Sequence, residues 1–302
     1  MKRQWARVLA ASAFVLACGA PTSAVAMAAG KNLGSNFPVM VATADGTAVL
    51  PHRPDRILSL SPSATQMLYA IGAGSQVVGV DRYSTYPPGA PRTKFTGDES
   101  SAEDYLYLRP DLVIFAYPTD LGRQLKLLHI PSLVLPPATS MGAVYKQITE
   151  LGTATGHAAR ATTVNLSLAS YVGGAVRGTD GAGRGDPYYV ELDPTYYTAT
   201  PKTFIGAEFS LFGMRDIADQ AGDGYPQIQA EYILKADPDY VFLADTVCCR
   251  QTAASFARRP GFSSLRAVKL HHVVGVNDSV ASQWGPHTIE LFVGLLAHTL
   301  HP

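Results

Sequence analysis

The chain has 302 residues, 47% of them hydrophobic, and its 24 basic and 24 acidic side chains cancel. A balanced charge provides no excess of basic side chains to bind nucleic acid, so nucleic-acid binding is excluded from the predicted functions. The length is sufficient for a large core in one or two domains.

The N-terminus has the layout of a secretory signal. Basic side chains lie within residues 2–7, and an apolar run follows over residues 8–17. This run is too short to span a bilayer, and a charged segment before a short apolar one is typical of an export signal. Residues 1–30 are therefore predicted to be the leader of an exported protein.

Two cleavage sites compete within this leader. Residues 15–19 look like a bacterial lipobox, in which Cys18 would be lipidated and become the first residue of the mature chain. Residues 24–26 also satisfy the small-x-small rule for a soluble export product. The predicted localisation is a lipid anchor on the cell membrane, and a soluble periplasmic or secreted protein is the alternative.

Strands and helices alternate after the leader. An apolar stretch at residues 39–42 with the turn residues Asp45 and Gly46 predicts a small hairpin. Buried strands are predicted at residues 56–60 and 76–80, separated by a helix that begins at Ser61. Short strands alternating with helices indicate an α/β fold.

One unit occurs twice in the chain. Glu103 precedes a helical pattern, a Pro110-Asp111 break and a strand over residues 112–116. Glu231 stands at the same offset before Pro238-Asp239 and a strand over residues 240–244. Proline ends the helix because it lacks the amide hydrogen and disfavours helical geometry in the residue before it. The repeat predicts two similar lobes.

A connector is predicted between the lobes. Residues 157–172 keep an apolar spacing that favours a helix, and a glycine-rich stretch that follows predicts a flexible linker. The predicted domains are an N-terminal lobe at 31–155, a connecting helix and linker at 156–186, and a C-terminal lobe at 187–302.

The only cysteines after the leader are adjacent, Cys248 and Cys249. Adjacent cysteines cannot join distant segments of the chain. We expect a reduced, buried pair, and the alternative is a vicinal disulfide that stiffens a turn in an oxidising compartment.

Several ordered motifs resemble the binding proteins of cobalamin and iron-chelate importers. They lie at residues 57–65, 79–88, 108–114, 259–262 and 284–286. The resemblance implies a class III periplasmic binding protein: two Rossmann-like α/β lobes joined by a single connecting helix, with the ligand held in the cleft between them. The glycines after residue 172 predict a shorter helix or a looser joint here.

The resemblance also implies that one glutamate on each lobe docks on the permease. The matching positions are Glu103 and Glu231. Two exposed carboxylates at a fixed separation orient the encounter with a positively charged partner. The alternative is a pair of solvated glutamates, each favoured at a helix start by the helix dipole.

Residues that follow predicted strands are candidates for the wall of the cleft, because ligands of α/β sheets bind beyond the carboxyl ends of the strands. The candidate ligand-binding residues are Tyr83, Tyr117, Tyr197, Tyr225, Gln283 and Trp284. Aromatic side chains suit a macrocycle or a large chelate, although tyrosines in such loops are also ordinary surface packing.

The charge of the cleft indicates which ligands it would suit. Relatives that bind anionic chelates often carry arginines in the cleft, whereas the residue just before Trp284-Gly285-Pro286 here is Gln283. The missing cation favours a corrinoid or another bulky, near-neutral ligand. Arg82 could supply part of the missing charge.

The predicted function is an exported substrate-binding protein of an ABC importer. It would capture cobalamin or another corrinoid, a ferric siderophore or haem, and deliver it to the permease. Its partners would be that ligand, the permease and, through the lipid anchor, the membrane. No resident cofactor is predicted, since any cobalt or iron would belong to the ligand.

Two rival functions have weaker support. Catalysis is not expected, because the sequence holds no Gly-x-Ser-x-Gly, Ser-x-x-Lys or His-Glu-x-x-His motif. A direct zinc or manganese binder would need three or four convergent His and carboxylate ligands, and the eight histidines show no ligand spacing. Direct metal binding is kept as the alternative to the predicted function.

Overall fold

The computed structural model describes residues 37–97 and 101–301. The predicted leader, with Cys18, lies outside the described residues. Within them, no helix combines the length and apolar character needed to cross a membrane.

The predicted hairpin opens the described fold. Strands β1 (Val39–Thr43) and β2 (Gly46–Leu50) pair in antiparallel register, joined by a tight turn over Ala44 and Asp45. The Ala44 amide donates to the Val134 carbonyl oxygen at 3.1 Å, which ties the hairpin to the first sheet. The hairpin prediction is confirmed.

The first lobe is built on a four-stranded parallel sheet in the order β4-β3-β5-β6. Its strands are β3 (Ile57–Leu60), β4 (Val77–Val80), β5 (Leu112–Phe115) and β6 (Ser132–Val134). Its helices are α1 (Pro62–Ala70), α2 (Asp120–Leu127) and α3 (Met141–Thr155), with short 3₁₀ helices at Gly74–Gln76 and Ala102–Leu108. Strands β3 and β5 are buried along their whole length, as the continuous apolar runs predicted.

The connecting helix, α4 (Ala158–Gly178), is longer than predicted. It continues through Gly173 and Gly174, although each glycine costs a helix about 1 kcal/mol relative to alanine. Tertiary contacts offset this cost: Leu168 and Val172 of α4 are buried in the core, and the Tyr171 hydroxyl donates to the Glu290 carbonyl oxygen at 2.9 Å. The prediction that the helix ends at residue 172, before the glycines, was wrong.

The predicted flexible stretch begins at Gly173, and the part of it that follows α4, residues 179–185, forms consecutive turns. Gly183 has a φ of 82°, a left-handed conformation that favours glycine. A Cβ at this position would lie 2.7 Å from a methyl carbon of Leu300. Glycine at this position therefore permits both the turn and its close contact with the C-terminal helix.

The second lobe repeats the parallel sheet, in the order β10-β9-β7-β8. Its strands are β7 (Pro187–Glu191), β8 (Arg215–Asp216), β9 (Tyr240–Leu243) and β10 (Val273–Gly275). Its helices are α5 (Phe204–Leu211), α6 (Ala230–Ala236), α7 (Ala253–Ala257), α8 (Arg266–Lys269), α9 (Asp278–Ala281) and α10 (Pro286–Leu300), with a 3₁₀ helix at Phe262–Ser264. Two parallel sheets linked through one long helix confirm the predicted fold class.

The repeated unit has the same backbone course in both lobes. In each, the residue before the proline adopts a left-handed conformation, with φ of 45° at Arg109 and at Asp237. The helix that precedes the Pro-Asp break is a 3₁₀ helix in the first lobe and an α-helix in the second. The Asp111 carboxylate then accepts two backbone amides, each at 2.9 Å, and fixes the start of β3. The predicted repeat is confirmed.

Helix α5 carries a fully buried carboxylic acid, Glu208. The side chain is 1% exposed, and among the described residues neither carboxyl oxygen has a hydrogen-bond partner. Burial raises the pKa of Glu208 well above its usual value. An acid whose pKa is higher in the folded state binds its proton more tightly there, so stability declines as pH rises above the unfolded pKa.

We therefore expect Glu208→Gln to stabilise the protein increasingly as pH rises. The gain should reach about 1–3 kcal/mol near neutral pH, the range for a buried polar group that lacks a partner. Urea unfolding at pH 4, 6 and 8 measures it, with the exposed Glu290→Gln as the matched control. A gain that is constant with pH would contradict this explanation.

Candidate functional site

The loops at the carboxyl ends of the strands enclose a cleft between the two sheets. Two adjoining cavities, each of about 420 Å³, make up this cleft. Tyr117, Ser282 and Trp284 line both cavities and form their common border. The volume of each lies in the usual range for small-molecule and cofactor sites.

The first lobe supplies a wall of aromatic and hydroxyl groups. Ser61 and Ser63 lie at the junction of β3 and α1, Tyr83 follows β4, and Tyr117 follows β5. The Ser61 hydroxyl caps α1 by accepting from the Ala64 amide at 3.4 Å. Each of these positions follows a strand, as the parallel-sheet rule predicts.

The second lobe supplies a more apolar wall. Leu192 follows β7, Phe204 and Ile205 begin α5, and Cys248 lies in the turn after β9. Tyr225 completes this wall and is 53% exposed. Burial raises the pKa of the Tyr225 hydroxyl, and Tyr117 across the cleft adds to the effect.

The segment after α9 crosses to the first lobe and ties the two lobes together. The Trp284 ring Nε1 donates to Gln147 Oε1 at 2.8 Å, and its amide donates to the Ser63 hydroxyl at 3.0 Å. Gln66 Nε2 donates to Gln283 Oε1 at 2.7 Å. A Cβ on Gly285 would lie 2.3 Å from the Gln66 side-chain oxygen, so only glycine permits this approach.

Five of the six predicted ligand-binding residues meet in the cleft. They are Tyr83, Tyr117, Tyr225, Gln283 and Trp284. Neither cavity includes Tyr197, which forms an antiparallel bridge with Gln227 and accepts the Leu192 amide at its carbonyl oxygen. Tyr197 thus braces the loop that presents Tyr225. The binding role of all six residues stays a prediction.

Two charged side chains follow β4 at the cleft wall. The Arg82 guanidinium donates to the Tyr83 hydroxyl at 2.7 Å and lies 4.8 Å from the centre of its ring. Asp81 is 2% exposed, and burial raises its pKa to about 6 against hydrogen bonds from Ser84 and Tyr83. Arg82 therefore brings a cation to the cleft, at the position that the sequence indicated.

The two cysteines are free thiols in the structure. Cys248 is exposed at the cleft and Cys249 is half-buried, so the expectation of a buried pair was wrong. Partial desolvation at the cleft wall, together with the neighbouring Cys249 and the Asp278 carboxylate, raises the pKa of Cys248 to about 12. Its amide donates to the Asp278 carboxylate at 2.7 Å, which fixes the turn. Cys248 is therefore a thiol, not a thiolate, near neutral pH.

Several residues of the cleft were not anticipated from the sequence. Asp81 lies within the motif at residues 79–88 and follows a predicted strand, so both signals could have identified it. Phe204 and Ile205 carry no such signal, because they follow β7 only after an irregular loop of more than ten residues.

The two predicted docking glutamates occupy equivalent places. Glu103 is the second residue of the 3₁₀ helix Ala102–Leu108, and Glu231 is the second residue of α6. Both are exposed. Their role in docking stays a prediction.

A direct metal site has no support in the part of the chain that the structure describes. Over residues 37–97 and 101–301, no three His, Cys, Asp or Glu side chains converge in a way that could hold an ion.

Comparison with known proteins gives consistent similarities. A family model for periplasmic binding proteins matches residues 57–280. The chain is 31% identical to an ABC transporter substrate-binding lipoprotein, YvrC, of Bacillus subtilis, over 99% of this chain and 96% of that protein. It is also 32% identical to a cobalamin-binding protein of Halobacterium salinarum, over 84% of this chain and 72% of that protein.

Solved structures share the fold. The vitamin B12-binding protein BtuF of Vibrio cholerae superposes with a TM-score of 0.69 at 22% identity, over 82% of this chain and 98% of that one. The periplasmic haem-binding protein RhuT of Roseiflexus gives a TM-score of 0.73 at 22% identity, with the same coverage. At this identity the likeness concerns the fold alone, which binders of two different ligands share.

Proposed function

This chain belongs to the periplasmic binding protein family, and we propose that it captures a corrinoid in its cleft and delivers it to the permease of an ABC importer. One observation carries the choice of ligand: aromatic side chains enter the cleft from both lobes. Tyr83 and Tyr117 come from the first lobe, and Tyr225 and Trp284 come from the second. Flat rings with polar tips fit a large macrocycle with a polar periphery.

The polarity of the cleft supports a near-neutral ligand. Hydroxyl groups are the commonest polar groups in the lining of the first cavity, its two charged side chains, Asp81 and Arg82, have opposite sign, and Gln283 is uncharged. The relative from Halobacterium salinarum, named for cobalamin binding, agrees with this choice. Haem and ferric siderophores are the other ligands that the test must include.

Delivery would use the exposed carboxylates Glu103 and Glu231, one on each lobe. Cys18 would carry the lipid that holds the protein at the outer face of the cell membrane, and the relative from Bacillus subtilis is named a lipoprotein. The related proteins named above are binding proteins, and the role proposed here is transport without catalysis.

The ligand can be tested with a reporter that the chain provides. The sequence has two tryptophans, and Trp5 lies in the predicted leader. The mature protein would therefore hold Trp284 alone, in the wall of the cleft. Titration with cyanocobalamin should quench its fluorescence with a Kd of about 1 µM or lower, which corresponds to about 8 kcal/mol of binding free energy.

Haem and a panel of ferric siderophores are titrated in parallel, and equilibrium dialysis checks each result. The variant Trp284→Phe should lose the fluorescence signal while dialysis still detects a ligand. If cyanocobalamin shows no micromolar binding by either method, the corrinoid proposal is wrong, and a response to haem or a siderophore would identify the ligand class instead.

A further inference from the structure

Asp81 is a buried acid at the wall of the cleft. It follows β4 and lines the first cavity, but it is only 2% exposed. Among the described residues, its Oδ1 has no hydrogen-bond partner. A buried acceptor without a partner costs about 1–3 kcal/mol. Oδ1 itself has almost no accessible surface, so a ligand N–H would bond to it once the Asp81 side chain turns toward the cavity, and that bond would recover this cost.

The charge of Asp81 has little compensation from its neighbours. Burial raises its pKa to about 6, and hydrogen bonds from Ser84 and the Tyr83 amide oppose the shift. The guanidinium of Arg82, next in sequence, is directed to the Tyr83 hydroxyl at 2.7 Å. At neutral pH the cleft wall therefore contains a buried negative charge.

The groups around Asp81 point to the kind of ligand that would meet it. The same cavity is lined by hydroxyls of Ser61, Ser63 and Thr85 and by the amide of Gln283. Hydroxyl and amide side chains can both accept a hydrogen bond from a carboxamide and donate one to it. A carboxylate oxygen beside them accepts an amide N–H strongly, whereas it repels a second carboxylate at close range.

Corrinoids and the rival ligands differ in this respect. The periphery of cobalamin carries carboxamide side chains, whereas haem carries propionate carboxylates and many ferric chelates are anionic. We propose that Asp81 is a specificity-determining residue, whose unpartnered Oδ1 accepts an N–H of a corrinoid carboxamide and disfavours a ligand carboxylate at the same place. This inference rests on the proposed corrinoid function.

The test compares ligands that differ in one peripheral group. The probes are cyanocobalamin and its b-, d- and e-monocarboxylates, in each of which one carboxamide is hydrolysed to a carboxylate. The natural protein should bind at least one monocarboxylate about tenfold more weakly than cyanocobalamin, as expected for a difference of about 1.4 kcal/mol. The substitution Asp81→Asn should bring that ratio close to one.

The variant should also bind cyanocobalamin several-fold more weakly, because a charge-assisted hydrogen bond becomes a neutral one. Asp45→Asn, in the exposed hairpin turn, is the matched control and should leave every Kd unchanged. Asp81→Asn keeps the shape of the side chain and removes a buried charge, so the fold is expected to survive. If it does not, Asp81→Ser provides the same comparison.

The outcomes separate the two proposals. If the natural protein does not bind cyanocobalamin, the corrinoid function fails. If it binds cyanocobalamin and the ratios for all three monocarboxylates are the same in Asp81→Asn, only the role of Asp81 is overturned. A purely structural role would weaken every ligand alike and leave the ratios unchanged.

Discussion

Replacing Arg259 with Met is expected to lower the free energy of unfolding by about 3–5 kcal/mol, the cost of leaving a buried carboxylate without its partner. The guanidinium makes two parallel bonds to the Glu191 carboxylate, at 2.5 and 2.6 Å. Glu191 and the neighbouring Asp245 are both fully buried. The variant would therefore leave two adjacent acids with no cation.

The matched control is Arg266→Met. Arg266 Nε pairs with Asp239 Oδ1 at 3.1 Å, but its side chain is 60% exposed, so its removal should cost at most about 1 kcal/mol. Urea unfolding of both variants measures the difference. Equal losses of unfolding free energy in the two variants would show that burial of the Arg259–Glu191 pair adds nothing to stability.

The loss in Arg259→Met should depend on pH. Burial and the neighbouring Glu191 together raise the pKa of Asp245 to about 7, against the opposing effect of the Arg259 guanidinium. Without the guanidinium the carboxyls of the folded state hold their protons to still higher pH. The loss is therefore largest above neutral pH and shrinks as the pH falls and the acids become neutral. The double variant Arg259→Met/Glu191→Gln should recover part of the stability at pH 8.

This cluster also supports the cleft. Leu192, next to Glu191, lines the second cavity, and the Asp245 carbonyl oxygen accepts the amides of Cys249 and Gln251. The cluster of Arg259, Glu191 and Asp245 thus lies where two loops of the second lobe begin, the loop after β7 and the loop after β9. Residual ligand binding by Arg259→Met should fall because these loops lose their common anchor.

The fold was predictable from local signals. Apolar runs marked the buried strands, and the two Pro-Asp breaks marked equivalent points in both lobes. The family resemblance drawn from five motifs is confirmed by the comparisons. The prediction of where the connecting helix ends failed because that end depends on tertiary contacts. Helix α4 continues through two glycines while Tyr171 bonds to α10, and no local sequence pattern shows that contact.

The site was only partly predictable, for the same reason. The cleft residues that directly follow strands were predicted correctly, because ligands of parallel sheets bind at the edge where the carboxyl ends of the strands lie. Tyr197 also follows a strand, but its loop pairs with Gln227 outside both cavities. The motif at residues 259–262 was visible in the sequence, whereas Glu191, which it neutralises, is 68 residues away, and only the fold shows the pairing.

The second large effect is expected at the exposed glutamates. Replacing Glu103 and Glu231 together with Ala should abolish import of labelled cyanocobalamin while its Kd for the protein stays unchanged. Removing one partner of an interfacial charge pair costs about 2–5 kcal/mol, so even 2 kcal/mol at each lobe weakens docking by roughly thirtyfold per site. Each single variant should show an intermediate defect.

Import should change without a change in ligand affinity because of where Glu103 and Glu231 lie. Neither Glu103 nor Glu231 is among the residues that line the two cavities, so the substitutions leave the lining of the cleft intact. Glu290→Ala, another exposed glutamate, is the matched control and should import normally. Docking should also weaken with salt in the natural protein and lose that dependence in the double variant. Normal import by the double variant would exclude these two carboxylates from docking, even if the corrinoid ligand proved correct.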